Sequence, residues 1–260
     1  LAVESRDITT MRTPLGLVRM CTLPQGGTNS VAHMVNAMNK VLRDCILDIT
    51  MPFLDDIPIK GYPVEEKDEL VGPDGCQRFV ANHIEDCKKI LERPKRARLP
   101  FSRQKLAFGQ SEIMVVGHLC GPYGRKPSLV KVEAISEMKK ECTMVTEVWR
   151  ILGACTFYHI WIPHYAHIAE PLYGLLKKGC KFEWIREHVE SVQKLKEALM
   201  TASTLKKAVY ERDIPVYVMV DTSPTGIGWV INQVDAGGTR FPMRFGAKVL
   251  SECKSNVRKQ

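Results

Sequence analysis

No apolar run in this chain approaches the roughly 18–20 residues that a membrane span requires. Its first residues, Leu1-Ala-Val-Glu-Ser-Arg-Asp7, have neither the basic start nor the apolar stretch of a signal peptide. Paired cysteines are also missing. The nine cysteines, Cys21, Cys45, Cys76, Cys87, Cys120, Cys142, Cys155, Cys180 and Cys253, contain no Cys-x-x-Cys unit, and their number is odd. That argues against a cysteine-ligated zinc site and fits reduced thiols in an intracellular compartment, cytoplasmic or nuclear. The expectation is a protein with no membrane partner that is not secreted. No internal repeat or low-complexity tract is present, and no methionine opens the chain, which therefore reads as a fragment or a mis-started frame.

The 260 residues are 45% hydrophobic and 25% charged, the balance of a soluble globular chain with room for one large or two small domains. A net charge of +8 and a pI of about 9.0 suit a polyanionic partner without demanding one. The charge is concentrated. Lys88, Lys89, Arg93, Lys95, Arg96, Arg98, Arg103 and Lys105 face the single acid Glu92 in that stretch. Such a run is either a solvated surface or a phosphate contact.

The most informative segment is Met51-Pro-Phe-Leu-Asp-Asp-Ile-Pro-Ile59. Two adjacent aspartates between apolar runs predict a β-hairpin with carboxylates at its tip. Two anions held that close repel unless a cation lies beside them, and Mg²⁺ takes one or two carboxylates plus substrate phosphates. The bland alternative is an Asp-Asp turn without a role.

Around it, residues 8–24 read as a strand pair about a turn. Val31, Met34, Val35, Met38, Val41 and Leu42 follow helical spacing, with Asn29 or Ser30 as cap. Residues 61–76 read as an acidic exposed loop. Val80, Ile84, Cys87, Ile90 and Leu91 predict a helix that ends before Pro94. Residues 112–116 predict a strand. Ser128 is expected to cap a helix bearing Val132, Ile135 and Met138, and Thr146 another bearing Val148, Ile151, Leu152 and Cys155. Val192, Leu195 and Leu199 mark a further helix. Residues 214–220, 227–231 and 240–245, with a turn at 235–238, predict an antiparallel meander opening an α/β domain.

The ordered set of motifs resembles the reverse transcriptase of gypsy-type LTR retrotransposons over nearly the whole chain. The matching segments are Thr22-Leu-Pro-Gln-Gly-Gly-Thr-Asn-Ser30, the Phe53-Leu-Asp-Asp56 hairpin and Val115-Val-Gly-His118. They continue with Arg150-Ile-Leu-Gly-Ala-Cys-Thr-Phe-Tyr-His-Ile-Trp-Ile162, Ala169-Glu-Pro-Leu-Tyr-Gly-Leu-Leu-Lys-Lys-Gly179 and Phe182-Glu-Trp184. Val220-Asp-Thr-Ser-Pro-Thr-Gly-Ile-Gly-Trp229 is similar to the opening of the family's ribonuclease H domain.

The resemblance implies an α/β (α+β) fold in three parts. These are the carboxyl-terminal part of a reverse transcriptase palm at 1–120, a thumb and connection at 121–180, and the amino-terminal part of a ribonuclease H-like domain at 181–260. It implies RNA-directed DNA polymerase chemistry, a two-metal nucleotidyl transfer dependent on Mg²⁺ or Mn²⁺, with an RNA/DNA primer-template and deoxynucleotides as partners. Asp55 and Asp56 match the paired catalytic metal ligands, and Asp221 matches the first ribonuclease H carboxylate. Phe53 matches the aromatic near the primer end, and Pro24-Gln25-Gly26 the loop under the incoming nucleotide and template. Gly117-His118 matches the primer grip. Lys95, Arg96, Arg98, Arg103 and Lys105 are the candidates for phosphate contact, Lys105 lying near the family's lysine after the basic segment.

The departures are specific. The family's third palm carboxylate belongs to a segment expected just before Leu1, as do the amino-terminal fingers. The next ribonuclease H carboxylate is expected just after Gln260, and Glu252 is a strand-exit residue that does not replace it. The expectation is a polymerase region inactive as these 260 residues. The alternative is a catalytically dead retroelement remnant that at most binds nucleic acid. A host protein-binding role has no sequence feature in its favour. His159, His164, His167 and Glu170 have zinc-like spacing, but Pro163 interrupts them, and the family places packing residues there.

Overall fold

The computed structural model describes residues 1–62, 70–71, 75–209, 214–223, 226–235 and 237–250. The chain divides into two compact units, Leu1–Phe108 and Gly109–Gln260. Among the described residues no helix is long and apolar enough to cross a membrane.

The first unit opens with a short hairpin of β1 (Met11–Thr13) and β2 (Gly16–Val18). Helix α1 (Ser30–Val41) and helix α2 (Arg78–Arg96) then build a small core. Met38, Leu42, Cys45 and Ile90 are its buried centre, with Ile46, Ile49, Ile57, Ile59 and Leu99 packed around them. Leu42 is fully buried, and removing such a side chain typically costs about 2–5 kcal/mol. Neither predicted cap of α1 acts as one: Asn29 makes no side-chain cap bond, and the Ser30 hydroxyl donates back to the Pro24 carbonyl at 2.7 Å.

Helix α2 does not stop before Pro94. It runs on to Arg96, with Pro94 buried inside it. Proline deprives the Ile90 carbonyl of its helical donor. The turn still closes, because Ala97 and Leu99 donate to the carbonyls of Arg93 and Pro94. Arg93, Lys95 and Arg96 place positive charge at the negative end of the helix dipole. Most of the acidic loop expected at 61–76 lies outside the described residues. Its described end forms β3 (Leu70–Val71) and β4 (Cys76–Gln77), paired antiparallel.

The second unit starts with an antiparallel three-stranded sheet, β5 (Ile113–Val115), β6 (His118–Gly121) and β7 (Gly124–Pro127). Four helices follow: α3 (Leu129–Glu137), α4 (Val145–Phe157), α5 (Tyr165–Gly174) and α6 (Arg186–Met200). Thr146 is not a cap but lies inside α4. The Glu147 carboxylate does the capping, accepting from the Thr143 backbone N–H at 2.7 Å and holding its own pKa down by those bonds. Ser128 precedes α3 without a side-chain cap bond.

Strands β8 (Tyr217–Thr222), β9 (Gly226–Val234) and β10 (Arg240–Val249) form the antiparallel meander that the three successive strand candidates predict, in the order β10-β9-β8. Asp235 orders the β9–β10 turn by accepting from Gly237 and Thr239. Helices and meander share one core: Val148, Leu152, Cys155, Leu172, Val192 and Leu195 are buried, and Phe245 and Ala247 of β10 pack against them. Opposite Trp229 on β9 stands Gly246, where a Cβ would collide with the indole ring, so the ring lies flat across the neighbouring strand. Glu252 lies outside the described residues.

Candidate nucleic-acid interface and carboxylate hairpin

In the first unit, Phe53 and Asp56 exchange two backbone hydrogen bonds of 2.9 Å, and Thr50 bridges Ile59. Leu54 and Asp55 therefore form a two-residue turn at the tip. Leu54 has φ 56°, a left-handed position normally given to glycine. Asp55 and Asp56 are both exposed, and among the described residues neither has an ion-pair partner. Phe53 is 51% exposed beside them.

This pair suits a cation held partly by substrate phosphates. Among the described residues, however, no group of three or more His, Cys, Asp or Glu stands together to hold a metal. Among the described residues the hairpin therefore offers two ligands and no third. The same finding covers His159, His164, His167 and Glu170: His164 is a left-handed residue at the start of α5, and His159 Nδ1 is bound to the Thr156 carbonyl.

The Pro24-Gln25-Gly26 loop precedes α1 and is closed by the Ser30 hydroxyl on the Pro24 carbonyl. Gln25 and Gly26 are exposed. In the basic segment, Lys88, Lys89, Arg93 and Arg96 are paired with Glu85, Asp86, Asp44 and Glu92. Lys95, Arg98, Arg103 and Lys105 are exposed and make no ion pair among the described residues. Of the five phosphate-contact candidates, only Arg96 is thus already engaged.

In the second unit, Gly117 and His118 sit at the turn between β5 and β6. Val115 pairs with His118, and both turn residues have positive φ, 48° at Val116 and 77° at Gly117. Two positive φ values are what a tight type I′ hairpin turn requires. The His118 ring stacks on Phe157 at 5.2 Å and meets Tyr158 and Trp161. Burial, then Arg125 and Lys131, hold its pKa below the ordinary value. Its Nδ1 is buried and has no hydrogen-bond partner among the described residues. A neutral ring in an aromatic cage is the result, not a cationic phosphate ligand.

One surface went unread in the sequence. Val145, Trp149, Gly153 and Phe157 recur every four residues on the outer face of α4, and all are exposed, Trp149 by 57% and Phe157 by 44%. The Lys131 ammonium lies 5.4 Å from the Phe157 ring centroid. The spacing was legible; the buried set Val148, Ile151, Leu152 and Cys155 masked it. Asp221 is exposed on the edge strand β8, and its carboxylate accepts from the Thr222 N–H at 2.9 Å.

Residues 184–260 match the family model described as the RNase H-like domain found in reverse transcriptase. The chain is related to the reverse transcriptase–RNase H region of retrotransposon polyproteins. It is 22% identical over 245 residues to the Transposon Tf2-3 polyprotein of Schizosaccharomyces pombe, covering 94% of this chain and 17% of that protein. It is 26% identical over 254 residues to the Retrovirus-related Pol polyprotein from transposon 297 of Drosophila melanogaster, covering 97% of this chain and 22% of that protein. The chain thus spans about a fifth of the length of these curated relatives. Among solved structures, the foamy viral protease-reverse transcriptase dRH in complex with dsDNA matches with TM-score 0.79 and 21% identity, over 98% of this chain and 41% of that one. The foamy viral enzyme with an RNA/DNA hybrid matches with TM-score 0.73 and 22% identity, over 98% and 32%. The mixed α/β fold is that of the matched foamy viral region.

Proposed function

We propose that this region takes part in RNA-directed DNA synthesis on a primer-template. Residues 1–120 would belong to the palm, 121–180 to the thumb and connection, and 181–260 to the ribonuclease H-like part. The observation that carries this reading is the pair of carboxylates on a tight turn beside an exposed aromatic, exposed and without an ion-pair partner among the described residues. Asp55 and Asp56 would hold Mg²⁺ or Mn²⁺ together with the phosphates of a deoxynucleotide. When bound, such metals activate the primer hydroxyl and stabilise the leaving oxygen. Phe53 would pack on the primer end, and the Pro24-Gln25-Gly26 loop would lie under the template. Gly117 would let backbone approach the primer, with His118 locked behind it by its aromatic cage. Lys95, Arg98, Arg103 and Lys105 would take phosphates, with Arg96 available if Glu92 releases it. The Trp149–Phe157 stripe, with Lys131 beside it, suits contact with nucleic acid better than with water. Asp221 would be one carboxylate of the ribonuclease H-like site. That the matched foamy viral structures hold dsDNA or an RNA/DNA hybrid supports a nucleic-acid partner.

A second reading, a remnant that binds nucleic acid without chemistry, is favoured by the absence of a three-ligand group among the described residues. Binding separates both from a chain with no nucleic-acid role. A labelled primer-template should bind, with log affinity falling linearly with log salt. Replacing Lys95, Arg98, Arg103 and Lys105 by Gln should lower that slope by roughly three to four. Affinity independent of salt, or a slope unchanged by the four substitutions, would refute the interface.

A further inference from the structure

A cavity of about 250 Å³ in the second unit opens between α4, the turn after it, α5 and the end of β10, lined by Thr156, His159, Tyr165, Ala166, Tyr173, Ala247, Lys248 and Val249. Two of these side chains bear nitrogen and three bear hydroxyls, and none is acidic. The hydroxyls of Thr156 and Tyr165 are 2.7 Å apart, those of Tyr165 and Tyr173 3.3 Å, and those of Thr156 and Tyr173 3.4 Å. Burial pushes the Tyr165 phenol far above its ordinary pKa, so it remains a protonated donor.

Three hydroxyls bring three protons. Two serve the shorter Thr156–Tyr165 and Tyr165–Tyr173 contacts, and the third closes the ring between Tyr173 and Thr156 only at 3.4 Å, longer than a normal hydroxyl bond, so an anion at the opening would compete for it. The Thr156 carbonyl only accepts, so His159 Nδ1 donates to it at 2.6 Å; Nε2 is the ring atom left for the cavity, and it donates to an anion only in the imidazolium form. Lys248 is exposed at the rim, and no ion pair is formed by it among the described residues. What this lining lacks is a group that only accepts hydrogen bonds and carries negative charge.

We infer that the cavity is a phosphate subsite for the backbone of a bound duplex, with Tyr173, His159 and Lys248 as its ligands and Thr156 and Tyr165 as their support. This rests on the nucleic-acid reading above. Thr156 lies one turn beyond Gly153 and two beyond Trp149 on the same face of α4, so the cavity adjoins the exposed stripe. A duplex on that stripe would bring a phosphodiester to the opening.

Two measurements on the full chain test it. Inorganic phosphate is titrated while the His159 ring resonances are followed by NMR, in the wild type and in Lys248→Gln and Tyr173→Phe. Duplex affinity is measured across a salt series for the same proteins. Expected are a saturable His159 shift that weakens in both variants, and a roughly threefold to tenfold loss of duplex affinity with Lys248→Gln, its salt slope smaller by about one. If the duplex binds and Lys248→Gln changes neither affinity nor slope, the subsite is wrong while the nucleic-acid reading stands. If no duplex binds at all, that reading falls and the phosphate titration decides: a His159 shift lost in Lys248→Gln keeps the anion site, and no shift removes it.

Discussion

The Tyr158 hydroxyl donates to the carbonyl of Gly117 at 3.1 Å, tying the last turn of α4 to the β5–β6 hairpin 41 residues earlier. Tyr158 is 2% exposed. The bond fixes a turn that is strained at Val116, where a β-branched residue has positive φ. Tyr158→Phe keeps the ring and leaves that carbonyl without this donor. It should destabilise the second unit by about 1–2 kcal/mol, read as a lower urea midpoint with an unchanged slope. A midpoint equal to the wild type would mean the hairpin holds itself.

His118 makes stability depend on pH. Its folded pKa lies below the ordinary value of 6.5, so near that pH the folded state binds fewer protons than the unfolded one. Its contribution is full above 6.5 and is lost as pH falls through the lower folded value. The neighbouring charges, Arg125 and Lys131, are both positive and act in the same direction. Thermal midpoints should therefore fall between pH 7.5 and 5.5, and His118→Phe should flatten that fall. An equal fall in the variant would assign the acid sensitivity to other groups.

Thiol reactivity should divide by burial. Cys21 and Cys180 are exposed, whereas burial pushes the Cys155 thiol up to about 12. With an aromatic disulfide reagent at about pH 8, the first two should react at least about a thousandfold faster than Cys155, which should be labelled only on unfolding. Rapid native-state labelling of Cys155, identified by mass spectrometry, would show that the helical core opens.

The sequence made some of this legible and hid the rest for identifiable reasons. The turn at Asp55 was readable because two charges break an apolar run, and the meander because three strand-like runs follow one another with a turn signal between the last two. The left-handed Leu54 was not, since nothing but glycine announces positive φ. Pro94 misled because a proline is tolerated where the next carbonyls find other donors. Thr146 lost its predicted role to Glu147, whose carboxylate reaches back to Thr143. Spacing also could not show that Phe245 and Ala247 of the meander join the helical core, so that helices and meander lie in one unit. The hydroxyl cavity draws on residues 92 positions apart, Thr156 and Lys248, and spacing cannot show that.

Leu54 stores strain at the hairpin tip. A left-handed L-residue costs roughly 1–2 kcal/mol, while glycine adds about 0.5–1 kcal/mol of unfolded-chain entropy. Leu54 is also 39% exposed, so little packing is lost. Leu54→Gly should therefore raise the unfolding midpoint slightly, and Leu54→Val, β-branched, should lower it. The reverse order by calorimetry would mean that the tip relaxes away from φ 56°.

The carboxylates themselves should be dispensable for folding. Asp55 and Asp56 are exposed and unpaired among the described residues, so Asp55→Asn with Asp56→Asn should shift stability by no more than about 0.5 kcal/mol, in the direction of relief from like-charge repulsion. Their chemistry is another matter. Two-metal transfer needs ligands around both ions, and among the described residues no third metal-binding side chain joins the pair. Losing one group that compensates developing charge typically costs on the order of a hundredfold to a thousandfold. Residues 1–260 by themselves, with primer-template, deoxynucleotides and Mg²⁺ or Mn²⁺, should therefore extend no more primer than the double Asn variant. Supplying a polypeptide with a further carboxylate strand in trans should restore extension only to the protein that keeps Asp55 and Asp56. Extension by the wild-type residues alone, abolished in the variant, would mean that another carboxylate of this chain completes the site.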